Sequence, residues 1–150
     1  MKKTVLLLML VLTLFTLSAC TSPEYTGSWK LDKINGIPVA EYVAASGINV
    51  ADFPEGYFDL SLEVTEVNMT VTSHAGASSA AENNVSTLDI DAKSDGFEAL
   101  IDKTSIAEDG TEKVTTEIAF SVIYDSTMQT LSYTINRSEG IREVYTYIRK

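Results

Sequence analysis

The stretch FDLSLEVTEVNMTV, residues 58–71, sets apolar Phe58, Leu60, Leu62 and Val64 against polar Asp59, Ser61, Glu63 and Thr65. A period of two sends successive side chains to opposite faces of an extended chain, so this is a half-buried strand with one wet face. The phase then shifts to Val67, Met69 and Val71 with no Gly, Pro or Asn pair between. That shift predicts a bulge or sharp bend near Thr65 and Glu66 rather than a hairpin.

The same rhythm recurs on either side. Strands are predicted over 85–92, 97–102, 113–124, 130–137 and 141–149. Lys93-Ser94-Asp95-Gly96, Asp109-Gly110, Asp125-Ser126 and Ser138-Glu139-Gly140 separate them, and all are turn chemistry. Upstream, Asn35-Gly36 marks a turn. Pro38 followed by residues 39–45, with Gly47 beyond, suits a short helix whose apolar face is Val39, Tyr42 and Val43. Residues 73–83, SHAGASSAAEN, are small and polar and read as an exposed loop. The expectation is an all-β antiparallel meander of about eight strands, closing into a small barrel, with one short helix after the first strand. Closure removes the unpaired edges that an open sheet of this kind would carry. Trp29, Phe58, Leu60, Leu62, Phe120, Val122 and Tyr133 are predicted to point inward, enough to fill such a barrel.

The chain begins with Lys2 and Lys3, an apolar run over 5–17 broken only by Thr13 and Thr16, then small Ser18 and Ala19, the layout of a secretory signal. The run is shorter than the roughly 20 residues of a spanning helix. Leu17-Ser18-Ala19-Cys20 resembles a bacterial lipobox. That resemblance implies diacylglyceryl attachment to the Cys20 sulfur, cleavage before it, and acylation of the new amino terminus. Cys20 is the only cysteine, so it has no internal disulfide partner. Each buried CH₂ contributes about 0.8 kcal/mol, and two or more acyl chains hold stably where one does not. Residues 1–19 are thus read as a lipoprotein signal peptide, 20–26 as the lipidated Cys and a polar tether, and 27–150 as the barrel domain. The residue after the cysteine is Thr21, not the Asp that retains some lipoproteins at an inner membrane, which points to an outer membrane or cell surface.

Loss of residues 1–19 removes Lys2 and Lys3 from the 11 basic residues and none of the 21 acidic ones, leaving a charge of −12. Such a surface argues against nucleic acid and against electrostatic docking on anionic lipid, both of which need Lys and Arg clusters. The membrane lipid held by acylated Cys20 is the first expected partner. A small apolar ligand or an envelope protein is the second.

Gly27-Ser28-Trp29-Lys30-Leu31 resembles the G-x-W opening of calycin-type barrels, the lipocalins and fatty-acid-binding proteins. The basic and aromatic ending, Arg142-Glu143-Val144-Tyr145-Thr146-Tyr147-Ile148-Arg149-Lys150, is similar to their last strand. The overall likeness is to small lipocalin-like lipoproteins of bacteria. It implies that Trp29 plugs one barrel end and that a last-strand Arg or Lys lies across it. It also implies a ligand chamber in which Arg142, Tyr145 and Tyr147 meet a carboxylate headgroup, as Arg and Tyr do in fatty-acid-binding proteins. A second resemblance is to the META domain, whose opening also places W-x-L before N-G-x-P-V, as Trp29, Leu31, Asn35, Gly36, Pro38 and Val39 do here. The later Gly-Cys-Asn element of that domain has no counterpart.

Catalytic signatures are sparse. His74 is the only histidine and sits in an expected loop, and the one thiol is committed to lipid, so Cys-His chemistry has no parts. A zinc site wants three or four N, S or O ligands. Asp89, Asp91 and Asp95-Gly96 suggest calcium, but counting from Asp89 places Lys93 where an EF-hand needs an oxygen ligand and Leu100 at its glutamate. Asn68, Asn84 and Asn136 open glycosylation sequons by chance. No cofactor or metal is expected. The functional expectation is a non-catalytic binding module acting through Trp29, Arg142, Tyr145 and Tyr147. The alternatives are a filled barrel acting on envelope proteins, and a hydrolase with an unrecognised acidic site.

Overall fold

The computed structural model of the protein describes residues 22–74, 83–136 and 140–150. The leader, Cys20, most of the 73–83 loop and Arg137 lie outside the described residues. Nine strands run in chain order: β1 Gly27–Ile34, β2 Ile37–Pro38, β3 Leu60–Val64, β4 Asn68–Ser73, β5 Asn84–Lys93, β6 Gly96–Ile106, β7 Glu112–Asp125, β8 Thr130–Asn136 and β9 Arg142–Arg149. Helix α1, Val39–Ala45, follows β1 and the two-residue β2.

Every pairing is antiparallel. From β3 to β9 each strand pairs with the next, β1 pairs with β3, and β9 returns to β1 with Trp29 opposite Arg149 and Ile34 opposite Tyr145. That last pairing closes an eight-stranded barrel, with β2 a spur on β1. Among the described residues no helix is long and apolar enough to cross a membrane.

The alternation fills the interior. Trp29, Leu62, Val64, Met69, Phe97, Ala99, Val122, Leu131, Tyr133, Tyr145 and Tyr147 are all buried in one core. In β1 the inward set is Trp29, then Leu31, then Ile34; the pairing with β9 slips between Leu31 and Lys33, so a bulge absorbs the odd spacing. α1 buries Val43 and packs Val39 and Tyr42 against the core, as its periodicity requires.

Two sequence readings need correction. β3 and β4 form a hairpin, Val64 opposite Met69, where a bend without a hairpin was expected. The turn uses no Gly or Pro. Thr65 Oγ1 accepts from the backbone N–H of Val67 and of Asn68, and Thr65 N–H donates to the Asn68 carbonyl. A threonine hydroxyl supplies the turn chemistry here, so the chain reverses without Gly, Pro or an Asn pair. Phe58 precedes β3 and stays out of the barrel core; it is half-buried with Phe53 and Tyr57, ring centroids 5.1 Å from each.

β6 and β7 behave differently from the other strands. They pair with each other over eleven positions, from Gly96 opposite Ile123 to Ile106 opposite Glu112. Yet β5 holds β6 only from Gly96 to Leu100, and β8 holds β7 only from Val122 to Asp125. The register slips between Ala99 and Leu100, and beyond it residues 101–119 are exposed throughout. A bulge re-aims a strand pair, and here the pair leaves the barrel wall as a two-stranded ribbon.

Candidate binding site

At the end from which β1 starts, the plug is built around Trp29. The side chain is fully buried, its Nε1–H donates to the Tyr25 carbonyl at 3.0 Å, and Tyr124 meets it edge-on at 6.1 Å. The Arg149 guanidinium lies 4.6 Å above the indole, within cation–π range. The same guanidinium donates to the carbonyls of Thr26, at 3.1 Å, and Glu24. Gly27 has φ +128°, and a Cβ there would stand 2.9 Å from Arg149 Nη1. The Gly-x-Trp pair thus has a local cause: glycine makes room for the arginine that covers the tryptophan. Trp29 is core here, and the arginine across it is Arg149.

The opposite end carries the polar chemistry. On β9, Glu143, Tyr145 and Tyr147 share the inward phase, and Arg142 falls on the other. Arg142 is exposed and reaches Thr134 Oγ1 at 3.5 Å. The structure therefore separates Arg142 from the tyrosines with which the resemblance grouped it. Tyr145 and Tyr147 do face the interior. Tyr147 shares a hydrogen bond of 3.0 Å with the Tyr133 hydroxyl, and burial pushes both phenols above their ordinary range. Glu143, only 7% exposed, accepts from Tyr145 at 2.9 Å and from Tyr42 of α1 at 2.6 Å. The helix is thereby fastened to the last strand by a phenol-carboxylate bond, of the kind that makes a buried charge tolerable.

Neither Glu143 nor Tyr42 was singled out from the sequence as a polar contact. The helical periodicity puts Tyr42 on the apolar face of α1, which is where its ring lies. The signal for Glu143 was its spacing of two from Tyr145, which puts an acid in an inward phase.

Between the two ends, the divergence of β7 from β8 opens the wall. The cleft, about 590 Å³, is lined among others by Ile118, Phe120, Ser121, Tyr133, Thr134 and Ile135. Phe120 stacks on Tyr133 at 4.6 Å, and Tyr133 stacks on Tyr145 at 5.3 Å with an interplanar angle of 6°. A row of three rings therefore runs from the cleft into the barrel, toward the carboxylate of Glu143. Such a surface offers apolar area with hydroxyls at its edges, a combination suited to holding a ligand in one orientation. Among the described residues no three His, Cys, Asp or Glu side chains converge to hold a metal. Asp89 and Asp91 are exposed, and Lys93 draws on Asp91 at 2.6 Å.

No known protein family matches this chain, and no characterised protein matches its sequence. The class defined by the structure is a closed eight-stranded antiparallel barrel with an extra short strand.

Proposed function

We propose that the protein is an exported, lipid-anchored envelope lipoprotein whose barrel is a non-catalytic binding module for a small apolar or amphiphilic ligand. The observation that carries the ligand reading is the split between β7 and β8, a cleft of about 590 Å³ with Phe120 and Tyr133 in its lining. Its volume lies within the roughly 300–1,000 Å³ usual for small-molecule sites. Trp29 and Arg149 cover the barrel interior at the plugged end, so the ligand enters through the side wall. The anchor reading rests on Leu17-Ser18-Ala19-Cys20 and on a tether that joins the barrel beside the plug. In that arrangement the plugged end faces the membrane and α1 faces away from it.

The test is a titration with fatty acids and a fluorescent apolar dye, comparing the native chain with Ile118→Glu. Ile118 is 55% exposed and lines the cleft, so the charge should weaken binding about tenfold or more without unfolding the barrel. Absence of saturable binding by any apolar probe would sink the ligand reading. Separately, Cys20→Ser should abolish incorporation of labelled fatty acid; persistent labelling would sink the anchor.

A further inference from the structure

The ribbon of β6 and β7 carries a free edge on β7. Among the described residues nothing pairs with β7 on the β8 side from Glu112 to Ser121. A bare strand edge is a row of unpaired N–H and C=O groups, and a two-stranded ribbon alone in water is marginal. This one also exposes apolar side chains, Val114 at 59% and Ile118 at 55%. Its sequence, Val114-Thr115-Thr116-Glu117-Ile118, is rich in strand formers.

We infer that β7 pairs edge to edge with β7 of a second copy, forming an isologous dimer with a four-stranded antiparallel ribbon. A two-fold axis perpendicular to a sheet keeps each side chain on its own face, so a residue must stand opposite its own mate at the centre. Of the ten centres on the free segment, those at Glu112 and Lys113 oppose like charges and those from Ile118 to Ser121 carry the mate of Lys113 past its end, which leaves four. Centring on Glu117 opposes like charges, and centring on Val114 or Thr116 leaves Lys113 facing Thr115 or Ala119. Centring on Thr115 places Lys113 opposite Glu117 of the other copy, and the reverse, with Val114 opposite Thr116 on both sides.

That register suits the charges already in place. Glu117 is held at 2.5 Å by Lys103 across the ribbon, while Lys113 forms no ion pair among the described residues. Lys103, Thr115 and Glu117 share one face of the ribbon, and so does Lys113. Each Glu117 would then sit between Lys103 of its own chain and Lys113 of the second copy. Opposite charges facing each other across a strand pair favour one register over its neighbours. The second copy is thus a partner whose charge pattern is the complement of this edge, because it is the same edge reversed.

The test uses the full-length chain carrying Cys20→Ser, so that an introduced cysteine is the only thiol. Thr115→Cys should give a disulfide-linked dimer under mild oxidation. Thr116→Cys should give about tenfold less, because two residues of offset carry its mate beyond the 4.4–6.8 Å Cα separation that a disulfide spans. Lys113→Glu should cut the Thr115→Cys dimer about tenfold, and Lys113→Glu with Glu117→Lys and Lys103→Glu, which inverts all three charges together, should restore it. Sedimentation of the chain without an added cysteine should show a dimer at the concentration used for cross-linking. A monomer there, equal yields at positions 115 and 116, or cross-linking to a chain of another mass would each overturn the proposal. Unchanged far-ultraviolet circular dichroism in every variant shows that loss of the dimer is not loss of the fold.

Discussion

Trp29 and Ile101 are both large apolar residues on the inward phase of an alternating strand, yet the first is fully buried and the second is 42% exposed. The strand around Trp29 is paired on both sides, to β3 and to β9. At Ile101 the pairing to β5 has ended at Leu100, and the strand is paired only to β7. Curvature around a closed barrel requires two neighbours per strand, and only a curved wall has an inside. Alternation therefore identifies a strand, while the number of its neighbours decides whether its apolar face becomes core. The plug and the ribbon are the two outcomes of one sequence pattern.

The contrast is broken most directly at Trp29. Trp29→Ala should destabilise the barrel by about 3–5 kcal/mol, measured by urea unfolding, since it empties a packed site and strands the guanidinium of Arg149. A loss below about 1 kcal/mol would mean that the plug is not part of the core.

The tyrosine pair comes next. Tyr133 and Tyr147 hold their protons more tightly in the fold than an ordinary tyrosine does, chiefly because burial disfavours the phenolate. Above about pH 10 the unfolded chain releases protons that the fold retains, so stability falls as pH rises. Urea midpoints should be level from neutrality to about pH 10 and decline beyond it. Phenolate absorbance from every tyrosine while β-structure persists would show that this pair is solvated. The smallest effect belongs to the ribbon tip. Ile106→Ser should change the stability of the monomeric barrel by no more than about 0.5 kcal/mol, measured in the same way. A larger loss would show that the ribbon is packed against something.

Much of the barrel was legible because its strands obey short-range rules. The turn at Asn35 and Gly36 has φ of 54° and 78°, the left-handed backbone that those residue types tolerate, and α1 begins directly after Pro38 as its sequence asks. β5, β8 and β9 fall within a residue or two of their predicted spans. The β3–β4 hairpin was missed because its turn depends on the hydroxyl of one threonine, which no dipeptide pattern announces. The ribbon was only half legible. A β7 longer than β8 was visible in the sequence, but departure from the wall depends on the bulge at Ala99 and Leu100 and on pairings that stop at Val122. The site divides in the same way. Inward tyrosines at 145 and 147 follow from alternation alone. The bond from Tyr42 to Glu143 joins residues 101 positions apart, a contact that only the closed barrel creates.

Closure also orders events in time. Trp29 opposite Arg149 spans 120 positions of chain, whereas the pairings from β3 to β9 all join successive strands. Hairpins of that local kind form in roughly 1–10 μs, but a contact of such separation must wait for a long loop to close. The β1–β9 seam is then the slow step of folding, and the edges of β1 and β9 stay adhesive until it is made. Nor can the seam form before Arg149, the next-to-last residue, has been synthesised. A chain built this way keeps the β9-side edge of its first strand open until its last strand arrives, and depends on being kept from other strands until then.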